Sequence, residues 1–117
     1  MKLKLSLVFL LTVLFFMPHH SMTQSSPRRV EVVAQRFNFT PGDITLKKGE
    51  PVVFVVTSKD VPHGLKFKDL NLAMGVKKGE TKEIPFTPTQ AGTFVGQCAV
   101  FCGSGHGSMK MTLHVTE

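Results

Sequence analysis

From Arg29 to its end this chain is punctuated by turn residues about every 8–12 positions, the spacing of an all-β sandwich. Val30, Val32, Phe37 and Phe39 sit among polar residues in a rough period of two, the pattern of half-buried strand. Pro41-Gly42-Asp43 marks a turn, Ile44-Thr45-Leu46 alternates again, and Lys48-Gly49-Glu50-Pro51 marks the next turn. Residues 52–56 are a short β-branched run, which suits a strand buried on both sides. Further strands are expected over 64–67, 81–86, 92–97 and 109–116, with Pro85 marking an edge strand or an early end. Residues 71–76 read as a loop or a short helical turn, and no other segment after the N-terminal region carries a helical period.

The N-terminal region reads as an export signal. Lys2 and Lys4 precede an apolar run over 5–17, broken only by Ser6 and Thr12 and closed by Pro18, His19, His20 and Ser21. The run is shorter than the roughly 20 residues a membrane span needs, and it matches the apolar region of a secretory signal peptide. Ser21-Met22-Thr23 is the nearest small-residue cleavage sequence. The expected organisation is a signal peptide over 1–23, a short linker over 24–29 and one domain over 30–117. An uncleaved signal would instead anchor the chain to the membrane. Removing Lys2 and Lys4 from 14 cations leaves a mild excess over 8 acids. Lys77, Lys78 and Lys82 could steer an acidic partner or simply form a solvated face. With no arginine-rich run and no Tyr or Trp to stack on bases, nucleic-acid binding has no support.

Both cysteines fall in one stretch, Cys98-Ala-Val-Phe-Cys102-Gly-Ser-Gly-His106-Gly-Ser-Met109. Thiolate and thioether are soft ligands and imidazole is intermediate, so the set suits copper better than magnesium, calcium or manganese. Two cysteines in an exported chain can also form a disulfide. The following H-x2-M completes a soft donor set in one glycine-rich turn and points to a metal. Met109, Met111, Leu113 and Val115 share one strand face, which should be the core face, so Met109 should point inward beneath this loop. His114 lies on the polar face and reads as structural. A further ligand is expected at the same end of the sandwich. His63, in Asp60-Val61-Pro62-His63-Gly64 directly after the buried strand, is the candidate.

The segment Phe37-Asn-Phe-Thr-Pro-Gly-Asp-Ile44, then Gly49, then Asp60-Val-Pro-His63, resembles the front half of a cupredoxin. Gly92-Thr-Phe-Val-Gly-Gln-Cys98 through Met109 resembles the dinuclear CuA loop, C-x3-C-x3-H-x2-M, of cytochrome c oxidase subunit II and nitrous-oxide reductase. The resemblance covers about residues 30–117 and implies a cupredoxin-like Greek-key β-sandwich. It also implies two coppers bridged by the sulfurs of Cys98 and Cys102, with one imidazole each from His63 and His106. Met109 and the main-chain carbonyl of Val100 would be weak ligands. Phe94 and Phe101 are candidates for an apolar shell that tunes the potential.

Departures from subunit II shape the expectation further. Val100 stands where oxidase subunits usually carry Glu, no pair of transmembrane helices precedes the domain, and no Trp or Tyr builds an aromatic docking patch. The chain is therefore expected to be a free-standing, exported, monomeric electron carrier in the periplasm or another extracytoplasmic space, not itself an enzyme, working with a redox protein partner. The same donors would also serve a copper chaperone or buffer delivering copper to another cuproprotein. A mononuclear blue site using His63, Cys102, His106 and Met109 is the one-copper alternative. A dithiol redox protein fits less well, because the βαβ pattern of a thioredoxin-like scaffold is missing.

Overall fold

The computed structural model describes residues 17–117, so the basic and apolar signal-like positions over 1–16 lie outside the described residues. Residues 17–27 are exposed and carry no regular structure. The strands that follow are β1 (Arg28–Gln35), β2 (Asn38–Thr40), β3 (Asp43–Lys47), β4 (Val52–Ser58) and β5 (His63–Phe67). After them come β6 (Leu72–Val76), β7 (Thr81–Phe86), β8 (Gly92–Gln97) and β9 (Lys110–Thr116). β1 thus begins two residues inside the stretch read as a linker.

One sheet has the order β2-β1-β4-β7 and the other β3-β9-β8-β5-β6. β1 with β4 and β3 with β9 pair in parallel, because the chain repeatedly crosses between the sheets; the other strand pairs are antiparallel. This is the expected all-β sandwich of cupredoxin type. Alternation sets what each strand buries. Val30, Val32 and Ala34 of β1, Ile44 and Leu46 of β3, and Met111, Leu113 and Val115 of β9 face the common core. Each of these larger side chains, Ala34 apart, contributes about 1.5–3 kcal/mol when fully removed from water. β4 lies between β1 and β7, and its outward-alternating Val55 is buried along with Val52, Phe54 and Val56. Pro85 falls on β7, an edge strand, where proline is tolerated better than in a central strand.

Residues 71–76 differ from expectation. The chain makes a 3₁₀ turn over Lys68–Leu70, Asn71 closes it in the left-handed region at φ 50°, and Leu72–Val76 then forms β6. Ala, Met and Gly are weak strand formers, so the local signal was faint; pairing with β5 from His63↔Val76 to Phe67↔Leu72 decides the conformation. The connection from β4 to β5 and the connection from β8 to β9 come together at the same end of the sandwich, where Ala99 N–H donates to the Gly64 carbonyl at 3.1 Å.

Candidate metal centre

The first half of the site is built where β4 ends. Ser58 Oγ donates to the Val61 carbonyl and Val61 N–H donates to Asp60 Oδ1 at 2.7 Å, which folds the turn back on itself. β5 opens on His63, which is 0% exposed. Its Nε2 lies 2.7 Å from Asp60 Oδ1. Burial alone would raise the Asp60 carboxyl. Hydrogen bonds from the Arg36 N–H, His63 and the Val61 N–H outweigh it and hold the group at about 2. An ionised carboxylate can only accept, so it draws the imidazole proton to Nε2 and leaves the Nδ1 lone pair free. Nδ1 faces Cys98 Sγ at 3.8 Å.

The second half is the loop from β8 to β9. Cys98 N–H donates to the Met109 carbonyl at 3.0 Å, closing the loop at its base. Gly64 lets the following residues lie directly on β5: a Cβ there would stand 3.0 Å from Ala99 Cβ and 3.1 Å from Val100 N. Cys98 and Cys102 are buried and unbonded, their sulfurs 3.7 Å apart, well beyond the roughly 2.05 Å of a disulfide. The Cys98 thiol points at the Val100 carbonyl oxygen, 3.2 Å away. His106 opens a 3₁₀ turn over His106–Ser108 and brings Nδ1 to 3.7 Å from Cys102 Sγ. Met109, fully buried as its place on the core face predicts, holds Sδ 3.7 Å from the same sulfur.

All five side-chain donors named from the sequence therefore stand together with the Val100 carbonyl. The Nδ1 of His63 and the sulfurs of Cys98 and Cys102 lie within 4.8 Å of one another. Two ligands of one tetrahedral metal with bonds of about 2.0–2.3 Å stand about 3.5 Å apart, close to the donor spacings here. Soft sulfur, imidazole nitrogen and thioether in a buried pocket fit copper.

Burial and the neighbouring Cys98 push the Cys102 thiol up to about 11, with the Arg36 charge opposing. A thiol with a raised value stays protonated at neutral pH, so loading a soft metal here must release protons. Labelling of Cys102 by iodoacetamide in the metal-free chain, followed by peptide mass, should climb about tenfold per pH unit and still be rising at about pH 10. A plateau by about pH 9 would contradict the burial effect.

Sequence reasoning missed Arg36 and Phe37, which form the turn between β1 and β2. The Arg36 N–H donates to Asp60 Oδ2 at 2.7 Å, and its Nε donates to the Cys102 carbonyl at 2.8 Å. One residue thereby ties the His63 half to the cysteine loop. Phe37 packs against Gly103 and Gly105 of that loop. Nothing near Arg36 in the chain signals this, because its partners lie 24 and 66 positions away. Arg36→Met, which keeps the backbone bond to Asp60, should speed chelator-driven copper release about tenfold, consistent with losing a charge-assisted bond worth about 1.5–3 kcal/mol in part. Arg36→Lys should recover some of it; an unchanged release rate would remove the side chain from the site.

The expected apolar shell is corrected. Phe101 is 77% exposed, its ring tilted against that of His106 at 5.6 Å between centroids. Phe94 is in the core but four residues before Cys98, roughly 13 Å along the strand. Phe37 is the aromatic that packs on the loop. His114 behaves as expected of a structural residue, with Nε2 3.0 Å from Asp43 and Nδ1 3.4 Å from Thr93.

Two crossed-over sheets with thiol, imidazole and thioether donors gathered at one end define a copper-binding protein of the cupredoxin class. The chain belongs to the cupredoxin-like domain family, whose profile matches residues 6–114. It is 32% identical over 102 residues to cytochrome c oxidase subunit 2 of Thermus thermophilus, covering 86% of this chain and 76% of that protein. With the probable cytochrome c oxidase subunit 2 of Streptomyces avermitilis it shares 39% identity over 72 residues, 62% of this chain but 23% of that protein. The periplasmic domain of subunit II of cytochrome oxidase from Bradyrhizobium japonicum superposes with a TM-score of 0.71. That match covers 82% of this chain and 88% of the other; at 17% identity it speaks for the fold alone.

Proposed function

We propose that this chain is an exported one-electron carrier whose copper centre is dinuclear, with Cys98 and Cys102 as bridging thiolates. The observation that carries the reading is the pair of adjacent buried sulfurs, each with its own imidazole nitrogen: His63 at 3.8 Å from Cys98 and His106 at 3.7 Å from Cys102. A one-copper site on Cys102 would leave Cys98 idle despite its contact with His63. His63 and His106 would each serve one ion, with Met109 Sδ and the Val100 carbonyl as weak ligands. Copper supplies the change of one electron. The protein's part is to keep the donors still. Asp60 orients His63, the Cys98 N–H and Met109 carbonyl close the loop, and the strands beneath resist movement, so little rearranges when charge changes.

The basic and apolar segment at the N-terminus, read as a signal over 1–23, would direct the domain over 30–117 out of the cytoplasm. There it would exchange electrons with a redox protein partner. Similarity to oxidase subunit II supports electron transport as the role of the domain.

Copper stoichiometry together with EPR on the partly oxidised chain tests this. Two coppers per chain with hyperfine lines from two nuclei are expected. One copper with single-nucleus splitting would replace the dinuclear reading with a mononuclear one. Copper that stays cuprous and is readily lost to a chelator would replace electron transfer with copper delivery. Met109→Leu should keep its copper and shift the reduction potential measured by voltammetry; an unchanged potential would take Met109 out of the ligand set.

A further inference from the structure

The surface over the copper loop joins exposed apolar side chains to cations that have no acidic partner. Phe101 is 77% exposed and Val100 37%, although both lie in the loop that carries the cysteines. Val95, 51% exposed, is on β8 just before that loop, and no other large apolar side chain between residues 28 and 117 is as exposed as these three. Exposed apolar side chains gathered beside a functional site mark a contact surface more often than chance. Phe101 also lies against the ring of His106, which is half-buried, whereas His63 is sealed inside. The loop face is therefore the short way to the centre.

On the β8 side of this face Asp69 lies among Lys66 and Lys68, whereas the β6 side carries cations. Val100 Cγ2 would stand 4.0 Å from a Cβ at Gly75, which places it over the outer side of β6, and Lys77 directly follows that strand. Lys78 bridges to Ser58 across the neighbouring strands, and Lys59 comes next in the chain. Lys59, Lys77 and Lys78 are exposed, and none forms an ion pair among the described residues. The acids that follow these lysines in the chain are already engaged: Asp60 with His63 and Arg36, Glu80 with Lys82 at 3.6 Å. Lys82, grouped with the other two by sequence, is thus set apart from them.

We propose that Val100 and Phe101, rimmed by Lys59, Lys77 and Lys78, are the docking face for an electron-carrier protein whose own surface is acidic around an apolar contact. The proposal rests on the electron-carrier reading and adds the partner's charge and point of contact. One electron crosses the contact, one protein being oxidised as the other is reduced, and no bond forms or breaks. Opposite charge raises the encounter rate by tenfold or more at low salt, while the apolar centre excludes water and holds the pair in register.

Cytochrome c offers one redox protein in two charge states: native, with lysine-rich surface, and with those lysines arylated to carry carboxylates. Stopped-flow electron exchange with the copper-loaded chain should be at least about tenfold faster for the acidic form at low salt, and that advantage should fade as salt screens it. Lys77→Glu with Lys78→Glu should reverse the preference. Phe101→Ser should slow exchange with the acidic cytochrome several-fold and leave exchange with hexacyanoferrate unchanged. A faster native form, equal rates, or an unaffected Phe101→Ser variant would overturn the docking face. Exchange with hexacyanoferrate without any charge preference would leave the carrier reading standing and remove this one. If no probe exchanges electrons, the carrier reading fails. Amide shifts in the reduced, copper-loaded chain on adding acidic cytochrome then decide docking alone: shifts at Lys77, Lys78, Val100 and Phe101 support it, and their absence overturns it.

Discussion

Cys98→Ser should abolish the EPR signature of an electron shared over two coppers and lower the copper content to one or none, with the sandwich still folded. The side chain sits between the His63 nitrogen at 3.8 Å, the Cys102 sulfur at 3.7 Å and the Val100 carbonyl at 3.2 Å. Serine is similar in size, so packing around it changes little. Its hydroxyl is a hard, weakly acidic donor that cannot replace a soft bridging thiolate. Folding, read by circular dichroism and thermal melting, serves as the control, since the backbone bond from the Cys98 N–H to the Met109 carbonyl survives. Retention of the two-nucleus spectrum in this variant would sink the bridging assignment.

Gly105→Ala is the second substitution with a large expected effect, and it acts through shape alone. A Cβ at Gly105 would overlap the Cγ and Cδ2 atoms of Phe37. The contact is with the base of the ring, so rotation of the ring tip offers no relief. The same ring also lies over Gly103, where a Cβ would stand 3.0 Å from it, and φ +135° at Gly103 is a conformation glycine tolerates best. Either the ring leaves or the loop lifts away from β1 and β2. Overpacking of this kind costs about 1–3 kcal/mol. Copper should then dissociate about tenfold faster in a chelator assay, with a small loss in melting temperature. Pairing it with Phe37→Ala should return the release rate toward that of Phe37→Ala alone. Equal release from Gly105→Ala and the parent chain would show that Phe37 does not hold the loop.

These two residues mark the boundary of what was legible. The glycines at 103, 105 and 107 were consistent with tight turns or a mobile loop. The structure supplies a different reason for two of them, since Phe37, more than sixty positions earlier, lies on Gly103 and Gly105 while Gly107 faces open space. Likewise β6 was invisible because Leu72, Met74 and Val76 alternate in a stretch of weak strand formers, and only the β5 ladder makes them a strand. Phe101 failed in the opposite direction. Its type suggested burial near the cysteines, yet the loop turns Cys98 and Cys102 inward, and Phe101 is left in solvent.

By itself the sequence determined the strand cadence, the core face of β9 and the gathering of soft donors, because each is written in neighbouring residues: alternation has a period of two, and Cys98 to Met109 span a single loop. Only the tertiary structure decided that Asp60 meets His63, that Arg36 reaches both Asp60 and the Cys102 carbonyl, and that Val100 packs over Gly75 of β6. Those contacts join segments that become neighbours only when two sheets close on a common core, and no local pattern records which side chains such a closure brings face to face.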